Sequence, residues 1–182
     1  MRKGKNMEIS IENAKAALNT AANRPITERV KNFEDAYLEL GEDHPFVLSY
    51  LNTIAFNPIV TEDNRDILAY LKLRIITAAL NEGWEPQFTE NEERWFPWFT
   101  LWTEEELSEK SDEWKADRHL ISIGDYSGDY AGFASACSYT TPSLTFTAFG
   151  SRFCFKSEAL ATYCGKQFID LWADFNLIKK NN

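Results

Sequence analysis

The sequence predicts an α+β fold: a helical N-terminal half, then an antiparallel sheet, with a C-terminal helix packed on that sheet. Three observations predict it. Apolar residues recur at helical spacing up to Gly83, as amphipathic helices require. Beyond Trp84 the composition changes: five of the six tryptophans lie between Trp84 and Trp114. Short strand-like runs follow one another there through tight connections, the pattern of antiparallel pairing. The stretch from Gly150 to Ile178 reads as a strand running into an amphipathic helix, and a helix so apolar on one side needs a surface to cover it.

In chain order, Ser10 caps a first helix with a thin stripe of Ala14, Ala17, Leu18 and Ala21, ended before Pro25. Thr27 caps a second, with Val30, Phe33, Tyr37 and Leu40 on one face and Gly41 as its stop. Residues 45–56, PFVLSYLNTIAF, are apolar and short. Periodicity does not decide between helix and extended chain there, and Pro58 interrupts either. Thr61 opens the clearest helix, acidic in its first turn at Glu62 and Asp63 and apolar along Ile67, Leu68, Leu71, Ile75, Ala78 and Ala79. Gly83 closes it, being free to adopt the left-handed conformation.

RWFPWFTLW (94–102) is extended. Pro97 removes a backbone donor and so places this run at a sheet edge. TEEELSEKSDEW is an acidic, helix-compatible connection. HLISI (119–123), YAGFASACSY (130–139) and SLTFTAF (143–149) read as strands, separated by turns at GDYSGD and Thr140-Thr141-Pro142. A last strand alternates Phe153 and Phe155 with Arg152, Cys154 and Lys156. Ser157 then caps the final helix, whose stripe runs through Leu160, Cys164, Phe168, Leu171, Trp172, Phe175 and Ile178. Phe168 and Trp172 are expected to be buried against the sheet. Gly165 lies inside that helix at a conformational cost, which predicts close approach by another backbone. The chain is expected to form a single domain over 1–182, with a helical lobe over about 8–84 and a sheet-plus-helix lobe over about 85–180.

With 44% hydrophobic residues the chain can build a sizeable core, and its net charge of −9 argues against nucleic acid and anionic membrane as partners. Cys137, Cys154 and Cys164 have neither metal-ligand spacing nor a disulfide-framework pattern. They are expected to be reduced thiols in a cytoplasmic, soluble protein. The start of the chain is basic but lacks the apolar core of a signal peptide, and Met7 is an equally good start. No apolar run approaches the ~20 residues that cross a bilayer.

The candidate sites are few. Trp95, Trp98 and Trp102, with Phe96 and Phe99, form an aromatic run able to stack on sugar rings, yet aromatics on both faces of a strand favour burial between layers. Arg152 and Lys156 flank Cys154 beside the start of the last helix, where an anion site is conceivable; covering an apolar surface with their stems is the plainer reading. Asp125 and Asp129 sit in a glycine-rich turn that supplies too few oxygens for calcium. His44 and His119, the only histidines, have no local partner for zinc or for a nucleophile, and His119 is expected on a strand. Dinucleotide, phosphate-loop, zinc-protease and serine-hydrolase motifs are missing, so no cofactor, metal or catalytic residue is expected.

Four blocks keep a recognisable order: Phe33-Glu34-Asp35-Ala36, LKLRIITAALNEGWEP (71–86), RWFPWF (94–99) and Gly150 to Phe175, with GSRFCFKS and GKQF inside the last. In these the chain resembles an uncharacterised family of hypothetical proteins from Bacteroidetes-type bacteria, their phages and mobile elements. The resemblance implies a setting and no mechanism. The leading expectation is therefore a non-enzymatic protein-interaction or structural module of phage or mobile-element origin, with protein as its partner. The alternative is a carbohydrate-type ligand module using the tryptophans of 84–114. An enzyme of unknown class ranks third.

Overall fold

The computed structural model describes residues 23–87, 89, 91–126, 128–142 and 151–180, with backbone alone over 136–142 and at 151. The expected helix over 14–21 and the expected strand over 143–149 lie outside the described residues. What is described is α+β: eight helices and one three-stranded antiparallel sheet, with C-terminal helices packed on it.

Among the described residues the N-terminal half holds four helices. The second predicted helix is two: α1 (Ile26–Arg29) and α2 (Phe33–Leu40). Thr27 is not the cap, since the chain breaks at extended Val30 and restarts at Asn32. The Asn32 side chain accepts from the Asp35 amide at 2.8 Å, and the Asp35 carboxylate accepts back from Asn32 and Lys31. The carbonyls freed at the break are satisfied from far along the chain: Tyr163 Oη donates to Val30 at 2.7 Å and Gln167 Nε2 to Lys31 at 2.7 Å. Gly41 ends α2 at φ +82, as expected.

The ambiguous stretch is a helix, α3 (Pro45–Phe56). Pro45 at its first position is pre-set for helix, and His44 Nδ1 accepts from Phe46 N at 3.2 Å, so His44 is a cap. Asn57 leaves the helical conformation (φ −137, ψ 77) ahead of Pro58, where proline disfavours helix.

The long helix α4 (Glu62–Asn81) begins at Thr61, whose amide donates to Asn64 Oδ1 at 2.8 Å. Its predicted stripe needs correcting. Ile67 is 49% exposed, whereas Leu73, Ile75, Ile76, Thr77, Ala79, Leu80 and Asn81 are buried. Its C-terminal half is covered nearly all round, because α2, α3 and the two last helices all pack on it. Glu82 (φ +49) and Gly83 (φ +81) end it in the left-handed region.

Strand β1 (Glu93–Trp102) lies at the sheet edge, as Pro97 predicts; the order is β1-β3-β2, with β2 Ile121–Ser122 and β3 Gly132–Pro142. A register shift between Trp98 and Phe99 leaves Ala136 of β3 as the extra residue of a bulge. Thr140-Thr141-Pro142 is not a turn: it pairs with Trp95, Arg94 and Glu93. HLISI shrinks to the two residues of β2. His119 sits in a left-handed turn at φ +48, exposed and off any strand. Short helices α5 (Glu104–Ser108) and α6 (Asp112–Asp117) fill the acidic connection, each begun by a hydroxyl cap, Thr103 and Ser111.

The predicted strand before the last helix is not one. Ser151–Phe153 is a single 3₁₀ turn, and Phe155 forms an isolated bridge to Trp95, its amide donating to the Trp95 carbonyl at 2.8 Å. Phe153, Cys154 and Phe155 are all buried, so the apparent alternation reflects no exposed face. Asn81 of α4 splints this segment: its Nδ2 donates to the Cys154 carbonyl at 2.8 Å and its Oδ1 accepts from the Lys156 amide at 3.1 Å.

Ser157 then caps α7 (Glu158–Gln167), accepting from the Leu160 amide. The long final helix is divided at Phe168, beyond which α8 (Ile169–Asn176) follows. Trp172 is fully buried among Phe99, Phe153 and Phe175, with ring centroids 5.2, 5.4 and 6.2 Å away, and Phe99 in turn stacks on Phe133 of β3. The last residues are clasped: Lys179 N donates to Glu62 Oε1 at 2.7 Å and Lys180 N to the Asp125 carbonyl at 2.8 Å. One hydrophobic cluster runs through both halves, from Ile26 to Ala173.

Candidate functional site

Strand alternation and the bulge spread the tryptophans of β1 over different surroundings. Trp95 is half-buried against the core. Trp98 is 45% exposed. Trp102 meets Trp114 of α6 edge-to-face, 5.0 Å between centroids and 84° between planes, the arrangement that ring quadrupoles favour. Lys110 Nζ lies 5.2 Å from the Trp102 ring, and the Arg118 guanidinium lies 4.6 Å from the Trp114 ring. These two indoles are perpendicular and each carries a cation, which is a packing arrangement held by cation–π attraction. Trp98 alone of the three candidate tryptophans has a large open surface.

Arg152 and Lys156 do not share a strand face, because no strand forms there. Arg152 is exposed on the 3₁₀ turn. Lys156 Nζ donates to Glu82 Oε2 at 3.0 Å, within a chain of charges that continues through Arg29 to Glu39. Asp125 contributes its backbone to the C-terminal clasp. Among the described residues no three His, Cys, Asp or Glu side chains converge to hold a metal ion.

Cys154 and Cys164 are free, buried thiols. Burial pushes Cys154 up to about 11, the Arg94 guanidinium pulling the other way. Burial pushes Cys164 up to about 12, the neighbouring Trp172 indole pulling the other way. A thiolate is the reactive form, so both are expected to resist alkylation at pH 8 in the folded protein. They should react only when it is denatured; rapid native labelling of either, located by mass spectrometry, would contradict their burial. Their ionisation also sets an alkaline limit. Both pKa values are raised, so the stability they contribute is intact below the ordinary value of 9.0 and is lost as pH rises toward the folded values. Each tenfold gain in a thiol's proton affinity on folding is worth about 1.4 kcal/mol, so the protein at pH 11 is expected to be at least about 2 kcal/mol less stable than at pH 8.

A groove of about 450 Å³ opens between α5 and β2, lined by Leu107, Lys115, Leu120, Ile121 and Ser122 among others. Leu107 and Leu120 also cover Gly132, where a Cβ would lie 2.7 and 2.8 Å from their Cδ1 atoms.

Among the described residues, the most exposed apolar side chain, Phe56, was not among the sequence candidates. At the corner joining α3 to α4, Phe56 is 92% exposed, Ile59 69%, Val60 56% and Ile67 49%; Leu48 on α3 is 45% exposed. Helical spacing sets Leu48, Asn52 and Phe56 along one side of α3. The signal was present: apolar residues occupy every side of a twelve-residue helix that packs mainly on α4, with Tyr50 also against Phe33 of α2, so some must face outward. Asp63 and Asp66, both exposed, stand on the first turns of α4 beside Ile67.

No family model matches the chain, and neither a curated protein nor a solved structure resembles it at a significant level. Among the described residues no helix is long and apolar enough to cross a membrane.

Proposed function

We propose that this protein is a non-enzymatic protein-interaction module working in the cytoplasm, and that the α3–α4 corner is its binding surface. The observation that carries the reading is Phe56, 92% exposed at a helix end, with Ile59 and Val60 open just after it. Exposed apolar residues gathered in one region mark interaction surfaces on folded proteins, and large aromatic anchors dominate binding energy. The resemblance to phage- and mobile-element-borne proteins supports the same setting. A Phe56→Ser/Ile59→Ser variant is expected to keep its stability within about 0.5 kcal/mol, since neither side chain belongs to the core. Tagged full-length protein should capture a specific partner from the native host, re-form the complex with that purified partner, and lose it in the variant. Equal capture by both proteins would overturn the reading.

The second reading, a carbohydrate-type module, is favoured by one feature, the open indole of Trp98. Tryptophan fluorescence titrated with oligosaccharides tests it, and a saturable change lost in Trp98→Ala would support it over the first.

A further inference from the structure

The corner also carries a charge signature that selects among partners. The first turns of α4 carry Glu62, Asp63 and Asp66 and a single basic residue, Arg65. That arginine is engaged, its Nε 3.0 Å from Glu62 and its Nη1 3.7 Å from Asp174. Asp63 and Asp66 remain exposed next to Ile67, at the spacing that puts Asp63, Asp66 and Ile67 on one side of α4. Two exposed carboxylates therefore stand beside the open side chain of Ile67 at this corner. A nucleic acid or an anionic membrane would be repelled there, as would an acidic protein segment.

Resting on the protein-interaction reading, we propose that the α3–α4 corner binds a cationic amphipathic segment of a partner protein: apolar anchors seat on Phe56, Ile59, Val60 and Ile67, and lysines or arginines face Asp63 and Asp66. Two complementary features act in the complex. The apolar anchors lose water against the corner, which supplies affinity. Opposite charge steers encounter and rejects acidic competitors, an effect that salt weakens.

The test uses full-length protein and a synthetic helix-forming peptide of about 18 residues, leucine along one face and lysine along the other, labelled for fluorescence anisotropy. A control replaces every lysine by glutamate. The lysine peptide is expected to bind, the glutamate peptide at least about tenfold more weakly, and the lysine complex to weaken several-fold between about 0.05 M and about 0.5 M salt. Phe56→Ser/Ile59→Ser should lower affinity at least about tenfold, and Asp63→Asn/Asp66→Asn should lower it less while flattening the salt dependence. Equal binding of both peptides, no binding, or lysine-peptide binding indifferent to either double variant would overturn the proposal. Corner-dependent capture of a native partner together with a failed peptide would remove the cationic partner and leave the module reading in place. Capture that ignores the corner removes both.

Discussion

Trp172→Ala is expected to destabilise the protein by about 3–5 kcal/mol, measured by denaturant melts. The indole is fully buried, and it joins the sheet through Phe99, the 3₁₀ turn through Phe153 and its own helix through Phe175. Truncation would leave a cavity among these rings. Collapse around the gap is restricted, because the lining rings come from three separate elements. Ile178→Ala, 71% exposed on the same predicted stripe, is the internal control and should change stability by less than about 0.5 kcal/mol. A loss below about 1 kcal/mol at Trp172 would show that α8 is peripheral to the core.

Gly165→Ala is the second large effect, an expected loss of about 1–3 kcal/mol from overpacking. Helix propensity predicts the opposite sign, a gain of up to about 1 kcal/mol, so the experiment separates two causes. A Cβ built at Gly165 would stand 3.1 Å from Pro97 Cβ, 3.3 Å from Ser135 Oγ and 3.7 Å from Phe99 Cε1. The serine hydroxyl can rotate away. The proline cannot: its ring is rigid, and its strand is held on one side by β3 and on the other by the Trp95–Phe155 bridge. The helix must therefore lift from the sheet. A raised melting temperature for Gly165→Ala would show that it does not press there.

A close contact at Gly165 was legible in the sequence because a glycine inside a helical stripe asks for a cause, but what approaches is the side chains of Pro97, Ser135 and Phe99 and not the expected backbone. Gly41, Thr61, Gly83 and Ser157 were legible too, since caps and stops depend on neighbours a few residues away. What the sequence hid depends on distant partners. The break at Val30 is tolerable only because Tyr163 and Gln167 satisfy its carbonyls, and no local pattern announces them. Phe153 and Phe155 alternate as in a strand, yet Asn81 and Trp95 fix that segment as a turn and a bridge. Thr140-Thr141-Pro142 has turn chemistry and is drawn into β3 by the matching length of β1. Among the candidate residues, sequence chemistry favoured the tryptophans. The open surface lies instead on a helix whose excess of apolar residues was visible but whose packing on α4 and α2 was not.

The splint at Asn81 bears on how the chain is made. Asn81 closes on Cys154 and Lys156, Val30 on Tyr163, Lys31 on Gln167, and Glu62 on Lys179, with separations of 73 to 136 residues. On a ribosome the helical half emerges first, and α4 lacks the cover of the 3₁₀ turn, α7 and α8, including that of Phe153 and Phe175 over Tyr70, until those segments exist. Loops of that length close slowly and late. The nascent helical half is thus a natural client for chaperones that shield apolar helices, and folding completes only after residues 154–179 have been released from the exit tunnel.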